Sequence, residues 1–288
     1  MLNLYLSLIK FSHTIFALPF AFIGFYLAYI KYHPNDFLLK FLLVLLAMVF
    51  ARSAAMAFNR YIDRNIDSNN PRTKDREIPS GKISANAAKF FIILNVIGFI
   101  LSTFFINNLC FYLSPIALMV VLGYSYTKRF TWLCHYVLGL GLSLAPIGAY
   151  LSISGQFDYL TVVLGISVFF WVGGFDIIYA LQDASFDISF RLKSIPAHFG
   201  VKKAIFISRI SHFLSAIFLL FAIIMMDNQY PNIGILSWFA VSFFILMLIR
   251  QHLLVNGKDL SKINQAFFVS NGLASILLGA FIITDLLY

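Results

Sequence analysis

Apolar runs of roughly twenty residues recur along the whole of this chain, and a run of that length can cross a hydrocarbon layer only as a helix. Nine such runs fall at about 5–31, 37–59, 86–106, 109–125, 133–153, 159–181, 204–226, 232–249 and 264–286. Of the 288 residues 60% are hydrophobic and only 11% are charged, too few charges to cover a water-soluble domain. The expected fold is therefore all-α: a polytopic membrane protein, a single domain over 1–288, with about nine transmembrane helices around a central apolar cavity. The 33 phenylalanines suit both lipid-facing surface and such a cavity. The first run has no short apolar core with a cleavage site behind it, so it reads as an uncleaved signal anchor. Pro19 and Pro146 are expected inside spans, as packing kinks. Cys110 and Cys134 lack CxxC spacing and point to neither a disulfide nor a metal site.

The basic residues orient the spans. Loops 2–3, 4–5, 6–7 and 8–9, with their flanks, hold 17 of the 21 Lys and Arg. The positive-inside rule places those loops and the N-terminus in the cytoplasm and the C-terminus outside. The formal charge of +9 is scattered between spans, which argues against nucleic acid as a partner.

Acidic residues break this pattern at two places. Behind the second span, Asn59, Asp63 and Asp67 recur every four residues, so a continuing helix stacks all three on one face. Behind the sixth, the same arithmetic puts Asp176, Tyr179, Asp183 and Asp187 on one face. Five of the twelve acids lie in these two stretches. Like charges at this spacing repel, and hard divalent cations relieve that repulsion with oxygen ligands. Mg²⁺ commonly joins a few carboxylates to substrate phosphates. A lone DxxxD would be an ordinary solvated helix end; two on the same expected side are harder to read that way. Cations follow: Arg72, Lys74 and Arg76, with a turn at Pro79-Ser80-Gly81, then Lys128 and Arg129, then Arg191 and Lys193. Arg72, Arg76 and Lys128 read as site residues able to meet a diphosphate. Lys202, Lys203, Lys258 and Lys262 read as topology determinants. His135 and His198 read as interfacial structural residues. The placement of the two stretches also hints at an internal duplication.

These residues resemble the UbiA superfamily of intramembrane prenyltransferases. Its NxxxDxxxD motif is matched at Asn59, Asp63 and Asp67, and its DxxYxxxD motif with a further Asp at Asp176, Tyr179, Asp183 and Asp187. Agreement extends through Arg72–Ser84, Tyr124–Thr131 and Leu192–Gly200, so it covers essentially the whole chain. The stretch Ile9–Ala21 is most similar to the quinone-precursor branch, with Lys10 roughly where many relatives have Arg.

The resemblance implies Mg-dependent transfer of a polyprenyl group from its diphosphate to an aromatic acid, 4-hydroxybenzoate or a dihydroxynaphthoate, in a bacterial inner membrane. It implies Asp63, Asp67, Asp183, Asp187 and Asn59 as metal ligands. Tyr124 and Lys128 would stand near the reacting end of the isoprenoid. Arg72, Arg76, Asp176, Tyr179, Lys193, Lys10 and His13 would contact substrates. A cation-coupled secondary transporter is the rival reading, although it asks for carboxylates at the bilayer midplane rather than at span ends. A non-catalytic lipid-binding scaffold is a third.

Overall fold

The structure, a computed structural model, describes residues 2–10, 16–255 and 260–288, and these contain helices and turns but no strand. In chain order the helices are α1 (Leu2–Leu8), α2 (Leu18–Tyr32), α3 (Phe37–Asp67), α4 (Ala85–Ile106), α5 (Asn108–Thr127), α6 (Cys134–Ser154) and α7 (Tyr159–Ala180). They continue with α8 (Ala184–Ser189), α9 (Ile195–Gln229), α10 (Ile235–Leu254) and α11 (Asn271–Leu287). Among the described residues, eight helical stretches are long and apolar enough to cross a membrane, and the 15-residue α2 is a shorter apolar ninth.

The first expected span is two helices, not one. α1 ends at Leu8, Lys10 takes a left-handed φ of 45°, and α2 begins only at Leu18. Pro19 accordingly stands in the first turn of α2, where its missing N–H costs nothing, and not at a mid-span kink. The second span, by contrast, outruns its expected end at residue 59 and stays helical to Asp67. No Gly or Pro interrupts those 31 residues.

The chain forms two compact units, residues Met1–Thr14 with Leu38–Tyr126, and Ile15–Phe37 with Thr127–Tyr288. In the first, α1 lays Leu8 and Ile9 against Ala57 of α3, Ala88 and Ile92 of α4, and Ile78 and Ile83 of the intervening loop. Gly98 lets α4 approach the Phe50 ring of α3. The loop turns at Gly81, whose φ of 77° is open to glycine at no steric cost, and Ser84 then caps α4 by accepting from the Ala87 N–H.

In the second unit α7 is the central helix, packed against α6 and α9, while α2 packs on α6 and α11, and α10 on α11. Trp171, Phe175, Phe20, Phe244 and Phe267 fill its core. Helices approach closely where side chains are missing: a Cβ on Gly24 would stand 2.1 Å from the Pro146 carbonyl oxygen, and one on Gly139 2.5 Å from that of Phe169. Buried polar groups are bonded across helices. Trp171 Nε1 and Gln251 Nε2 both donate to Asn271 Oδ1, at 2.9 and 2.8 Å, and the Asp285 carboxylate caps α10 by accepting from Gly234 and Ser237. Each is a group that hydrocarbon would otherwise leave unsatisfied, at several kcal/mol. α9 is broken at Gly200, where φ reaches 79°.

Candidate active site

In the first unit the acidic stretch rides the C-terminal end of α3, as a continuing helix requires. Asn59 Nδ2 donates to Asp63 Oδ2 at 3.3 Å, one helical turn on. Asp67 is buried and receives Arg76, whose Nη1 lies 2.8 Å from each carboxylate oxygen. The intervening residues form tight turns: Thr73 Oγ1 donates to the Asp67 carbonyl, and the Arg72 N–H to Asn70 Oδ1. The fold of this loop, rather than its charge alone, brings Arg76 back onto the helix end. Arg72 itself is exposed, and Tyr124 is half-buried near the end of α5.

Glu77 lies next to this pair. It is buried, and Ser7 of α1 donates to its Oε1 at 2.5 Å. Burial alone would raise its pKa, but the Ser7 hydroxyl, a backbone hydrogen bond and the charges of Arg60 and Lys10 outweigh that and hold it below the ordinary carboxylate value. Lys10 is exposed. His13, the other early candidate, falls outside the described residues.

In the second unit the acidic stretch is not one α-helix. α7 ends at Ala180, a 3₁₀ turn spans Leu181–Asp183, and α8 begins at Ala184. Asp176, Tyr179, Asp183 and Asp187 therefore do not share a straight helical face, because three residues per turn overwind the register that spacing assumes. Tertiary tethers set these side chains instead. Asp187 is completely buried; Ser194 Oγ donates to its Oδ2 at 2.8 Å, and Lys128 Nζ lies 2.7 Å from its Oδ1. Burial disfavours the Lys128 ammonium, yet Asp187 and Asp183 more than compensate and raise its pKa. Asp183 is buried as well. Asp176 is held by His135, whose Nδ1 lies 2.7 Å from Oδ2 while the Ile195 N–H donates to Nε2 at 3.2 Å. With Nε2 accepting, the neutral ring carries its proton on Nδ1 and donates it to Asp176. Tyr179 packs its ring 4.3 Å from that of Phe267 in the π-helical turn Gln265–Ser270.

Residues Lys193, Ser194 and Ile195 join all of this. The Lys193 N–H donates to the Lys128 carbonyl at 2.7 Å, and its exposed ammonium donates to the Phe130 carbonyl. Lys193 thus braces the 128–135 loop with the very group expected to contact a substrate. His135 is buried in the first turn of α6, while His198 is exposed and stacks on Trp132. Among the described residues no three acidic, His or Cys side chains converge as a ready-made metal cluster.

One residue escaped the sequence reading. Arg60 is 5% exposed, and its Nε and Nη1 find no hydrogen-bond partner among the described residues. Its signal was its register: seven residues before Asp67 and three before Asp63, it shares their helix face.

The family described as the UbiA prenyltransferase family matches residues 17–272 of the chain. The chain belongs to the UbiA prenyltransferase family. A 4-hydroxybenzoate octaprenyltransferase of Aliivibrio fischeri (strain MJ11) is 33% identical over 230 residues, 78% of this chain and 77% of that protein. The apo structure of a UbiA homolog from Aeropyrum pernix K1 superposes with a TM-score of 0.83 at 30% identity, covering 95% of this chain and 98% of the other. A UbiA homolog from Archaeoglobus fulgidus, solved bound to GPP and Mg²⁺, shares the fold with a TM-score of 0.75 at 20% identity, covering 99% of this chain and 100% of that one. As a UbiA protein this chain is an integral, multi-pass membrane prenyltransferase, and the transporter and scaffold readings are withdrawn.

Proposed function

We propose that this prenyltransferase moves a polyprenyl group from its diphosphate to a ring carbon of an aromatic acid, in a Mg²⁺-dependent reaction that supplies a quinone precursor. The observation that carries this reading is that each acidic stretch has its own cation in contact: Arg76 on Asp67 and Lys128 on Asp187, at 2.8 and 2.7 Å. Such pairs supply both halves of what a metal diphosphate needs, carboxylates for the metal and donors for phosphate oxygens.

The donor set fits magnesium. It is all oxygen, with two carboxylates per stretch and the Asn59 amide. The lack of a ready-made three-residue cluster among the described residues suits an ion that draws part of its shell from phosphate. Asp63 and Asp67 with Asn59 in the first unit, and Asp183 and Asp187 in the second, would supply ligands to Mg²⁺ ions. Bound there, Mg²⁺ supplies charge neutralisation for the departing diphosphate.

The chain's own groups do the rest. Arg72, Arg76 and Lys128 donate to phosphate oxygens, and their hold strengthens as negative charge gathers on the leaving group. The bond between the prenyl C1 and the diphosphate oxygen breaks, leaving an allylic cation that an aromatic face such as that of Tyr124 stabilises. A ring carbon of the acceptor attacks C1, and the ring proton then passes to the released diphosphate, to water or to a carboxylate such as Asp183 or Asp187. Asp176 and Tyr179 contact the substrates, with Asp176 oriented by His135. Lys193 positions the 128–135 loop, and Lys10 and His13 belong with acceptor binding.

The acceptor we favour is 4-hydroxybenzoate, on the name of the Aliivibrio fischeri relative, with a dihydroxynaphthoate as the second choice. The basic loops favour a bacterial inner membrane with the site on the cytoplasmic side. Purified protein is assayed with one prenyl diphosphate, with and without Mg²⁺, against both acids. Metal-dependent prenylation of 4-hydroxybenzoate is the expected result; transfer to neither acid would overturn the substrate assignment.

A further inference from the structure

Two polar features of the first unit are not absorbed by the reaction as described: the buried Arg60 guanidinium and the buried Glu77 carboxylate. Arg60 Nε and Nη1 lack partners among the described residues, and so does Glu77 Oε2. A buried ionic N–H without a partner is costly, and two on one guanidinium are more so. The Arg60 side chain is more than nine-tenths buried and sits within electrostatic reach of Asp67, Arg76, Glu77 and Tyr124. It therefore points among the residues of the first acidic stretch and not toward lipid.

The charges around it decide what it can take. Asp67 is already engaged by Arg76, and Glu77 Oε1 by Ser7, so neither closes on Arg60 as an ion pair. Guanidinium N–H groups are strong charge-assisted donors to carboxylate and phosphate oxygens, and two of those on Arg60 are unpartnered among the described residues. We infer that Arg60 is an oxyanion-binding residue of the first unit, donating from Nε or Nη1 to a carboxylate or phosphate oxygen of a substrate. Glu77, fixed by the Ser7 hydroxyl, is a nearby negative charge that leaves the Arg60 donors open. This inference rests on the prenyltransferase reading only for its ligands, which are the prenyl diphosphate and the aromatic acid.

The test uses the full chain in lipid nanodiscs, with wild type, Arg60→Met, Arg60→Lys and, as an exposed control, Lys82→Met. Binding of inorganic diphosphate with Mg²⁺ and binding of 4-hydroxybenzoate are titrated separately by calorimetry, alongside the thermal midpoint of each variant. Arg60→Met is expected to weaken one of the two ligands by about tenfold or more. Arg60→Lys recovers part of the loss, since it restores the charge but not the planar set of donors. Loss for diphosphate assigns the oxyanion to the donor; loss for the acid assigns it to the acceptor. Wild-type binding of both ligands by Arg60→Met overturns the inference while leaving the function intact. So does a lower midpoint with unchanged binding, which would make Arg60 a structural partner of Glu77. If wild type binds neither ligand, the prenyltransferase substrates are wrong and the inference falls with them.

Discussion

The first acidic stretch rides one unbroken helix, whereas the second crosses a change of winding between two. In the first, the contacts are local: Asn59 reaches Asp63 four residues away, and Arg76 returns to Asp67 nine residues on. In the second, besides Ser194 on Asp187, contacts come from far along the chain, with His135 on Asp176 from 41 residues away. Lys128 meets Asp187 across a still longer gap. The difference teaches that a carboxylate pattern can be positioned in two ways. One is by helical arithmetic, and the other is by a fold that overrides the arithmetic and re-aims each side chain through its own tether. The first stretch should depend on its helix and the turns behind it, the second on loops remote in sequence.

The comparison predicts first what the two stretches have in common. Asp63→Ala and Asp183→Ala should each lower kcat/KM by about a thousandfold, equivalent to ~4 kcal/mol of barrier. Insertion and monodispersity in detergent should be unchanged. A near-normal rate for one variant, measured by transfer from radiolabelled prenyl diphosphate, would leave only the other stretch in the chemistry.

Next comes a change that separates the stretches. Ser194→Ala removes both a donor to buried Asp187 and the cap on the Ala197 N–H, at about 1–3 kcal/mol of stability. It should lower Tm and slow transfer, while Ser84→Ala, which removes only the cap of α4, should lower Tm alone. Equal kinetic effects of the two would erase the contrast.

A titration sharpens it further. Glu77 has a depressed pKa, so its contribution to stability is present above the ordinary carboxylate range and is lost as pH falls through the lower folded value. Lys128 has a raised one, so its contribution is complete below the ordinary ammonium value and is lost only as pH rises through the higher folded value. Thermal midpoints of wild type and Glu77→Gln should therefore converge toward acid pH, and those of wild type and Lys128→Met toward strongly alkaline pH. Parallel curves would contradict either assignment.

The smallest effect is expected from Lys193→Met. Its ammonium is exposed on the Phe130 carbonyl, so less than ~1 kcal/mol of stability is at stake, because water replaces the lost contact. A large rise in donor KM would return Lys193 to the diphosphate.

Much of this was legible before any coordinates. Spanning length and apolarity fixed the helical class, and i,i+4 spacing found Asn59, Asp63 and Asp67 on a helix that does continue. The break after Leu8 was not legible, since an apolar run has the same composition whether or not the backbone turns within it. Nor was the 3₁₀ turn at Leu181–Asp183, because no Gly or Pro marks it and its cause is tertiary. Arg60 was counted among the basic residues that orient the chain. Its burial and unmatched N–H groups belong to packing, which spacing does not record.

The contact of Gly24 with Pro146 has a mechanical consequence. Glycine lets α2 come so near α6 that any Cβ at position 24 would overlap the Pro146 carbonyl oxygen. A seam seated backbone to backbone, with no side chain to act as a bearing, resists sliding and levering alike. Widening of the second unit to admit a bulky lipid tail would have to come from helices other than these two. Random substitution at position 24 should then be among the least forgiving changes in the protein, although no reacting atom need ever touch it.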